Sequence, residues 1–470
     1  MSESGTAYDV IVIGGGPAGE NAAQYAIQGS ERTAAIVEGE LTGGECSYWA
    51  CMPSKALLRP VDVLATAHAL GGSITGADLD VAALLRRRDE WVSHYDDSGQ
   101  VSWAEGAGIT VVRGRGRLAG PKRVAVQNGT GTTYLSARAA IVIATGSVPT
   151  FPDEIADLCP WTSRDATGMK EVPDSIAVIG GGVVACEAAT WLAAAGAHVT
   201  MLVRGERLLA RAEDFAGEAV HDALRTRGVD VRTGVTVTDA ERPDAADSGV
   251  GRVHGGPMTL QTSTGPVTAA EVLAATGRKP AVDDVGLGTV GLGDRRSLGD
   301  VSDLDWLYAV GDVTGEAPLT HWGKYQARLV GAQIAAHAEG RPGPARPDAV
   351  PVPQVVFTDP QVASVGLTAA AARAAGHGIE TYDADMAAAS GYGLLRDDAA
   401  GHARLVVATA TGTLLGATFV GTEVAEMIHA ATVAVVAKVP VSTLWHAVPS
   451  YPTVSEIWLR LLEEHRAATG

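Results

Sequence analysis

Two stretches of the chain carry the same succession of apolar and polar positions. Residues 8–38 read "YDVIVIGGGPAGENAAQYAIQGSERTAAIVE", and a second run from 175 reads "SIAVIGGGVVACEAATWLAAAGAHVTMLVRGER". Each opens on a β-branched apolar run, breaks at clustered glycines, continues as an Ala-rich stretch and closes on another apolar run. The pattern predicts strand, turn, helix, strand, twice. Two shorter apolar runs, "IVIATGSVP" (141–149) and "EVLAATGRKP" (271–280), end in Ala-Thr-Gly at similar distances after each of these units and read as crossovers between domains. A further strand ends at Gly311-Asp312, with a helix expected from near Thr320. The Pro/Gly/Arg-rich segment 339–353 reads as a linker. Beyond it, strand-like runs ("HARLVVAT", "LLGATFVGT") alternate with helical stretches at 423–438 and 453–466. The expected architecture is α/β, with two Rossmann-like dinucleotide-binding domains and a C-terminal α+β domain. The boundaries are placed at 1–150, 151–276, 277–350 (a return to the first domain, plus linker) and 351–470.

The glycine spacing carries chemistry. Gly14, Gly16 and Gly19 allow, in turn, a tight turn, close approach of a pyrophosphate and close helix–strand packing. The following helix start offers unpaired N–H donors and a positive dipole end. Glu38, about 20 residues on, can accept from a ribose hydroxyl. In the second unit Gly180, Gly182 and Ala185 fill the same slots, but no acid follows; the strand ends at Arg204, with Arg207 close behind. Arginines there suit a 2′-phosphate, so the first site is assigned to FAD and the second to NADP, with NAD the alternative; Arg204 also reads as plain surface. Thr145, Gly146 and Gly277 belong to the Ala-Thr-Gly turns, and Gly311-Asp312 can bind ribityl or ribose hydroxyls.

The chain has 470 residues, a net charge of −18 and four cysteines, Cys46, Cys51, Cys159 and Cys186. The acidic balance argues against nucleic acid or an anionic membrane as partner. No long apolar run and no basic leader is seen, so a cytosolic location is expected. So few cysteines make no disulfide scaffold; a close pair in a reducing compartment reads as catalytic, redox-sensing or metal-binding, and no ligand cluster favours metal. That pair lies in "GGECSYWACMPSK", residues 43–55. In an undistorted helix residues five apart point about 140° away from each other, so an irregular turn is needed to bring the sulfurs together.

The ordered set of FAD-type fold, Cys-x4-Cys-x-Pro-Ser-Lys, Ala-Thr-Gly, NAD(P)-type fold, second Ala-Thr-Gly, Gly-Asp and C-terminal unit resembles the pyridine nucleotide–disulfide oxidoreductases across residues 8–465. The resemblance implies a homodimer built through the C-terminal domain. It also implies electron flow from nicotinamide to flavin to a Cys46–Cys51 disulfide, with Cys51 next to the flavin and Cys46 attacking a disulfide substrate. It places Lys55 by the flavin with Glu187 as its ion-pair partner, Asp312 on the flavin, and His321 of "LTHWG" beside it. Val183 stands where some members carry a tyrosine.

Two departures bear on the acceptor. The family's C-terminal His-Pro-x-x-x-Glu reads "YPTVSE" here, so Tyr451 stands where the partner subunit's base is expected, while Glu456 is retained. A phenol is a poor base at neutral pH. His446 is offset by five residues. The bulky Tyr48-Trp49 pair between the cysteines can pack in the core, narrow access to Cys46, or stack on a flat substrate. The leading expectation is reduction of a small disulfide, dihydrolipoamide-like. The alternatives are direct flavin reduction of a quinone, metal ion or second nicotinamide, and a redox-sensing flavoprotein with little turnover.

Overall fold

A computed structural model describes all residues except 1–5, 130, 300, 302–303, 348 and 470. The chain forms two compact units, each assembled from three segments: Met1–Pro53, Arg88–Thr150 and Gly277–Asp348 in the first, and Ser54–Arg87, Phe151–Thr276 and Ala349–Gly470 in the second.

In the first unit the opening pattern becomes β1 (Thr6–Ile13), α1 (Pro17–Ile27) and β2 (Ala34–Glu38). The strand Ile109–Arg113 pairs parallel to β2, β1 pairs parallel to Gly131–Ile143, and the short strand Leu307–Ala309 extends the parallel layer. Strands 123–128 and 115–118 continue the sheet antiparallel. The runs Val10–Ile13 and Ala34–Val37 are buried throughout, as expected for strands covered on both faces. On one face α1 packs on the long helix Thr320–Ala338; at Gly331 an added Cβ would come within 2.6 Å of Tyr25 Cβ, so the two helices meet closely there. The Ala-Thr-Gly runs end in two short strands, Ser147–Pro149 and Arg278–Pro280, which pair antiparallel with each other.

The cysteine stretch forms two helices rather than one. The short α2 (Gly44–Tyr48) stops at Trp49, whose φ of −129° leaves helical geometry, and α3 (Cys51–His68) starts two residues later. This is the irregular turn that the spacing of the cysteines demands.

In the second unit the other nucleotide-type pattern forms a parallel sheet in the order 230–233, 198–203, 175–179, 271–274, with the helix Val183–Ala194 beside it and a three-stranded antiparallel sheet (237–241, 258–262, 267–269) following. Arg242 and Glu271 form an ion pair 2.9 Å long with both side chains fully buried. The pair survives burial because its remaining hydrogen bonds are met: Arg242 also donates to the carbonyls of Gly256, Cys159 and Ala270, and Glu271 accepts from the His254 and Val272 amides. Residues 354–421 form a five-stranded antiparallel sheet backed by helices Ile428–Val436 and Ile457–Thr469. The helix expected from Glu423 starts later. Glu423 has a φ of +60° and is followed by one 3-10 turn, which delays the helix to Ile428.

Candidate active site

Cys46 lies in the middle of α2 and Cys51 is the first residue of α3. Both are thiols, and a hydrogen bond to Cys51 is the largest influence pushing the Cys46 thiol well above its ordinary pKa; burial adds to it, and the Thr320 hydroxyl and the Lys324 charge oppose it. The Thr320 hydroxyl lies 3.2 Å from Cys51 Sγ. The start of α3 adds its dipole, which favours a thiolate at Cys51. Thr320 was missed as a contact from sequence because only its helix start was legible there. The two remaining cysteines lie elsewhere; Cys186 is fully buried, which with the neighbouring Glu187 pushes its thiol up.

The residues between the cysteines are accounted for. Tyr48 is buried, and burial, with Asp97, Glu20 and Asp96 adding, pushes its phenol up to about 12. The ring of Trp49 stacks on Tyr95, centroids 4.5 Å apart and planes 28° off parallel. Tyr48 is thus core, and Trp49 has an internal partner on one face.

Around the glycine turn of the first unit, Gly14 adopts φ +106° and an added Cβ would lie 2.3 Å from the Ala144 carbonyl oxygen, so only glycine fits. Gly16 ends the turn as the N-cap of α1 with no side-chain cap, and a Cβ there would meet nothing closer than 4.0 Å. Gly43 N donates to the Gly15 carbonyl, which lays the segment before the cysteines along this turn. Its neighbour Thr42 is fully buried with a hydroxyl that has no hydrogen-bond partner. Glu38 braces the turn, accepting from the amides of Gly15 (2.6 Å) and Glu40 (2.7 Å). Asp312 follows Gly311, accepts from the Ser147 hydroxyl at 2.6 Å, and Thr145 bonds the Ala281 carbonyl. Gly146 and Gly277 both take positive φ in the paired crossovers, and Gly277 O accepts from Thr150 N. His321 occupies the first turn of the helix that Thr320 opens.

In the second unit Gly182 is likewise an uncapped helix start, with nothing within 4 Å of an added Cβ; Gly180 turns with φ +134° and Ala185 is buried. Arg204 is exposed just past the strand, whereas Arg207 is paired with Asp214 and donates to the Ala210 carbonyl. Also in this unit, Lys55 Nζ contacts both Glu187 oxygens (2.8 and 3.1 Å), Glu187 accepts from the Phe357 amide at 3.0 Å, and Lys55 lies 4.7 Å from the Phe357 ring centroid. Tyr451 is 75% exposed, Glu456 is buried and accepts from the Gly391 amide at 3.3 Å, and His446 is exposed. Among the described residues no cluster of three or more His, Cys, Asp or Glu is placed to hold a metal, and no helix is long and apolar enough to cross a membrane.

The comparisons with known proteins agree with this arrangement. Residues 8–339 match the family model for pyridine nucleotide-disulphide oxidoreductases and residues 352–461 match that family's dimerisation domain. The chain therefore belongs to the pyridine nucleotide-disulphide oxidoreductases, FAD-dependent enzymes that act on sulfur groups and use NAD(P). It is 32% identical to a dihydrolipoyl dehydrogenase of Chlorobaculum tepidum over 96% of this chain and 95% of that protein. It is 32% identical to a glutathione reductase of Burkholderia cepacia (97% and 98%) and 30% identical to a mercuric reductase of Staphylococcus aureus (96% and 81%). Among solved structures, the HOCl-induced flavoprotein disulfide reductase RclA of Escherichia coli, as its Cu(II) complex, superimposes with a TM-score of 0.83 at 23% identity over 97% of this chain and 99% of that one, a likeness of fold. The open uncapped helix starts at Gly16 and Gly182, with the orphaned Thr42 hydroxyl beside the first, fit two dinucleotides.

Proposed function

We propose that the enzyme reduces a small disulfide at the expense of NADPH, through FAD and the Cys46–Cys51 pair. The observation that carries this reading is the pair itself: Cys46 and Cys51 on either side of the break between two helices, with the Thr320 hydroxyl 3.2 Å from the Cys51 sulfur. Bound FAD would supply the two-electron relay between nicotinamide and thiols. Gly14, Gly16, Gly19, Glu38, Thr145, Gly146, Gly311, Asp312 and His321 are assigned to hold it. Gly180, Gly182 and Ala185 are assigned to the nicotinamide nucleotide, with Arg204, exposed and in no ion pair among the described residues, meeting a 2′-phosphate. The net reaction balances as NADPH, one proton and a disulfide giving NADP⁺ and two thiols. Cys46 is the thiol that attacks the substrate disulfide and Cys51 the one that closes on it, releasing the second product thiol. Lys55 and Glu187 supply a charge pair to the electron relay. Tyr451 and Glu456 serve at the substrate side, given by the second subunit of a homodimer.

A second reading has one observation in its favour: Tyr451 replaces the expected base, so disulfide exchange lacks a proton acceptor. In that reading a quinone, metal ion or second nicotinamide takes electrons without the cysteines. Anaerobic titration with NADPH or NADH, followed by alkylation, separates the two. One equivalent of NADPH should make Cys46 and Cys51 alkylatable, and Cys46→Ser should abolish disulfide turnover. Thiols that stay unreactive while quinone reduction survives Cys46→Ser would reject the first reading. An NADPH preference that Arg204→Ala lowers tenfold or more in kcat/KM supports the nucleotide assignment.

A further inference from the structure

Ser93, His94 and Tyr95 have φ values of 50°, 51° and 62°, three successive left-handed residues with no glycine among them. They form one tight turn closed by hydrogen bonds from Tyr95 N to Val92 O (2.8 Å) and from Asp96 N to Ser93 O (2.9 Å). L-residues visit this region singly, so a run of three persists only where the surroundings hold it. The turn is anchored below by Val92, which is buried, and two residues at its C-terminal side reach the cysteine loop. Tyr95 stacks on Trp49 between the cysteines. Asp97 accepts from the Thr42 amide at 2.7 Å, ahead of Cys46, and pairs with Arg113. Asp97 occupies the N-cap of the helix Ser98–Gly106 yet makes no cap bond there; Asp96 accepts from the Ser98 amide instead. The carboxylate best placed to cap its own helix is turned to the loop.

We propose that residues 93–97 are a bracket that grips the loop on both sides of Cys46 and so sets the reduction potential of the Cys46–Cys51 pair, with Tyr95 and Asp97 as positioning residues. Trp49 is where α2 breaks, so its stack fixes the hinge on which the separation of the two sulfurs depends. A disulfide forms in proportion to the effective concentration of its thiols. The disulfide needs that closeness and the dithiol does not, so loosening the hinge favours the dithiol. The face of Trp49 that Tyr95 covers is closed to a flat substrate. The proposal rests on the redox role given to the pair above.

The test is an equilibrium between the full-length enzyme and mixtures of reduced and oxidised dithiothreitol, quenched and alkylated, with Cys46 and Cys51 read by mass spectrometry. Two thiols of the reagent become its cyclic disulfide while the protein disulfide becomes two thiols, two electrons and two protons moving together. Tyr95→Ala should shift the equilibrium about tenfold toward dithiol, about 30 mV. Asp97→Ala should move it the same way, and Tyr95→Phe, which keeps the stack, should stay within about twofold of the parent. Should Tyr95→Ala fail to fold, Asp97→Ala reads the same quantity from the other grip. Variants that titrate with the parent, or move toward disulfide, overturn the bracket. A parent that never forms the disulfide across the range sinks the redox role and the bracket with it, and is a distinct result from a titrating parent with unmoved variants.

Discussion

Glu20 carries an electrostatic cost beside the first unit's glycine turn. It sits in the first turn of α1, nearly fully buried, with one carboxylate oxygen that has no partner. Burial raises its pKa from 4.5 to about 7, with the Lys324 charge opposing and Glu38 adding to the rise. A carboxyl whose folded value lies above its unfolded value favours folding while it is protonated. That contribution is complete below about pH 4.5 and lost as pH climbs through about 7. A shift of this size corresponds to on the order of 3 kcal/mol. Glu20→Gln, neutral at every pH, should therefore raise the melting temperature by a few degrees at pH 8 and change it little at pH 5. Thermal scans at the two pH values check this, and an equal shift at both would exclude titration of Glu20 as the cause.

At the scale of elements, chemistry collects where helices begin. Cys51 opens α3, Thr320 opens the helix 320–338, and Gly16 and Gly182 cap two more without side-chain bonds. Each start presents a positive dipole end, which suits thiolate and phosphate alike. The contact between the Thr320 hydroxyl and the Cys51 sulfur makes a specific claim. Thr320→Val keeps the shape and removes the hydroxyl, so the Cys51 thiolate loses a donor. In the reduced enzyme its alkylation by iodoacetamide should begin at higher pH and run severalfold slower at pH 7. A rate–pH profile that overlays the parent's would show the hydroxyl to be a bystander.

For the whole molecule the informative surface is in the C-terminal segment. Val433 and Val436 on the helix Ile428–Val436 are 53% and 55% exposed, and Val448 is 88% exposed close to Tyr451. Large apolar side chains left in water on one segment mark an association surface, and this segment matches the family's dimerisation domain. The double substitution Val433→Glu and Val436→Glu places like charges in that surface. Light scattering should then report a monomer where the parent is a dimer, with disulfide reduction falling at least tenfold, as the substrate-side role proposed for Tyr451 and Glu456 requires. A dimer that survives both charges would place the interface elsewhere.

Much of this was legible from the chain because it rests on local rules. Glycine spacing, the apolar runs around it and the Cys-x4-Cys pair dictate two strand–turn–helix–strand units and a bent turn between two helices, since backbone sterics act over a few residues. The Lys55–Glu187 pair was legible only by resemblance, being 132 residues apart. Tertiary structure decided the rest. It brought Thr320 to Cys51 across 269 residues, put Tyr95 against Trp49, turned Asp97 from its own helix to Thr42, and delayed the helix after Glu423. These contacts join positions far apart in sequence, and their geometry is set by which helices and strands the sheets bring together. Sequence by itself determined the class of chemistry and where its backbone cradles lie; folding decided which side chains surround the cysteines, because that depends on packing between segments that no local pattern encodes.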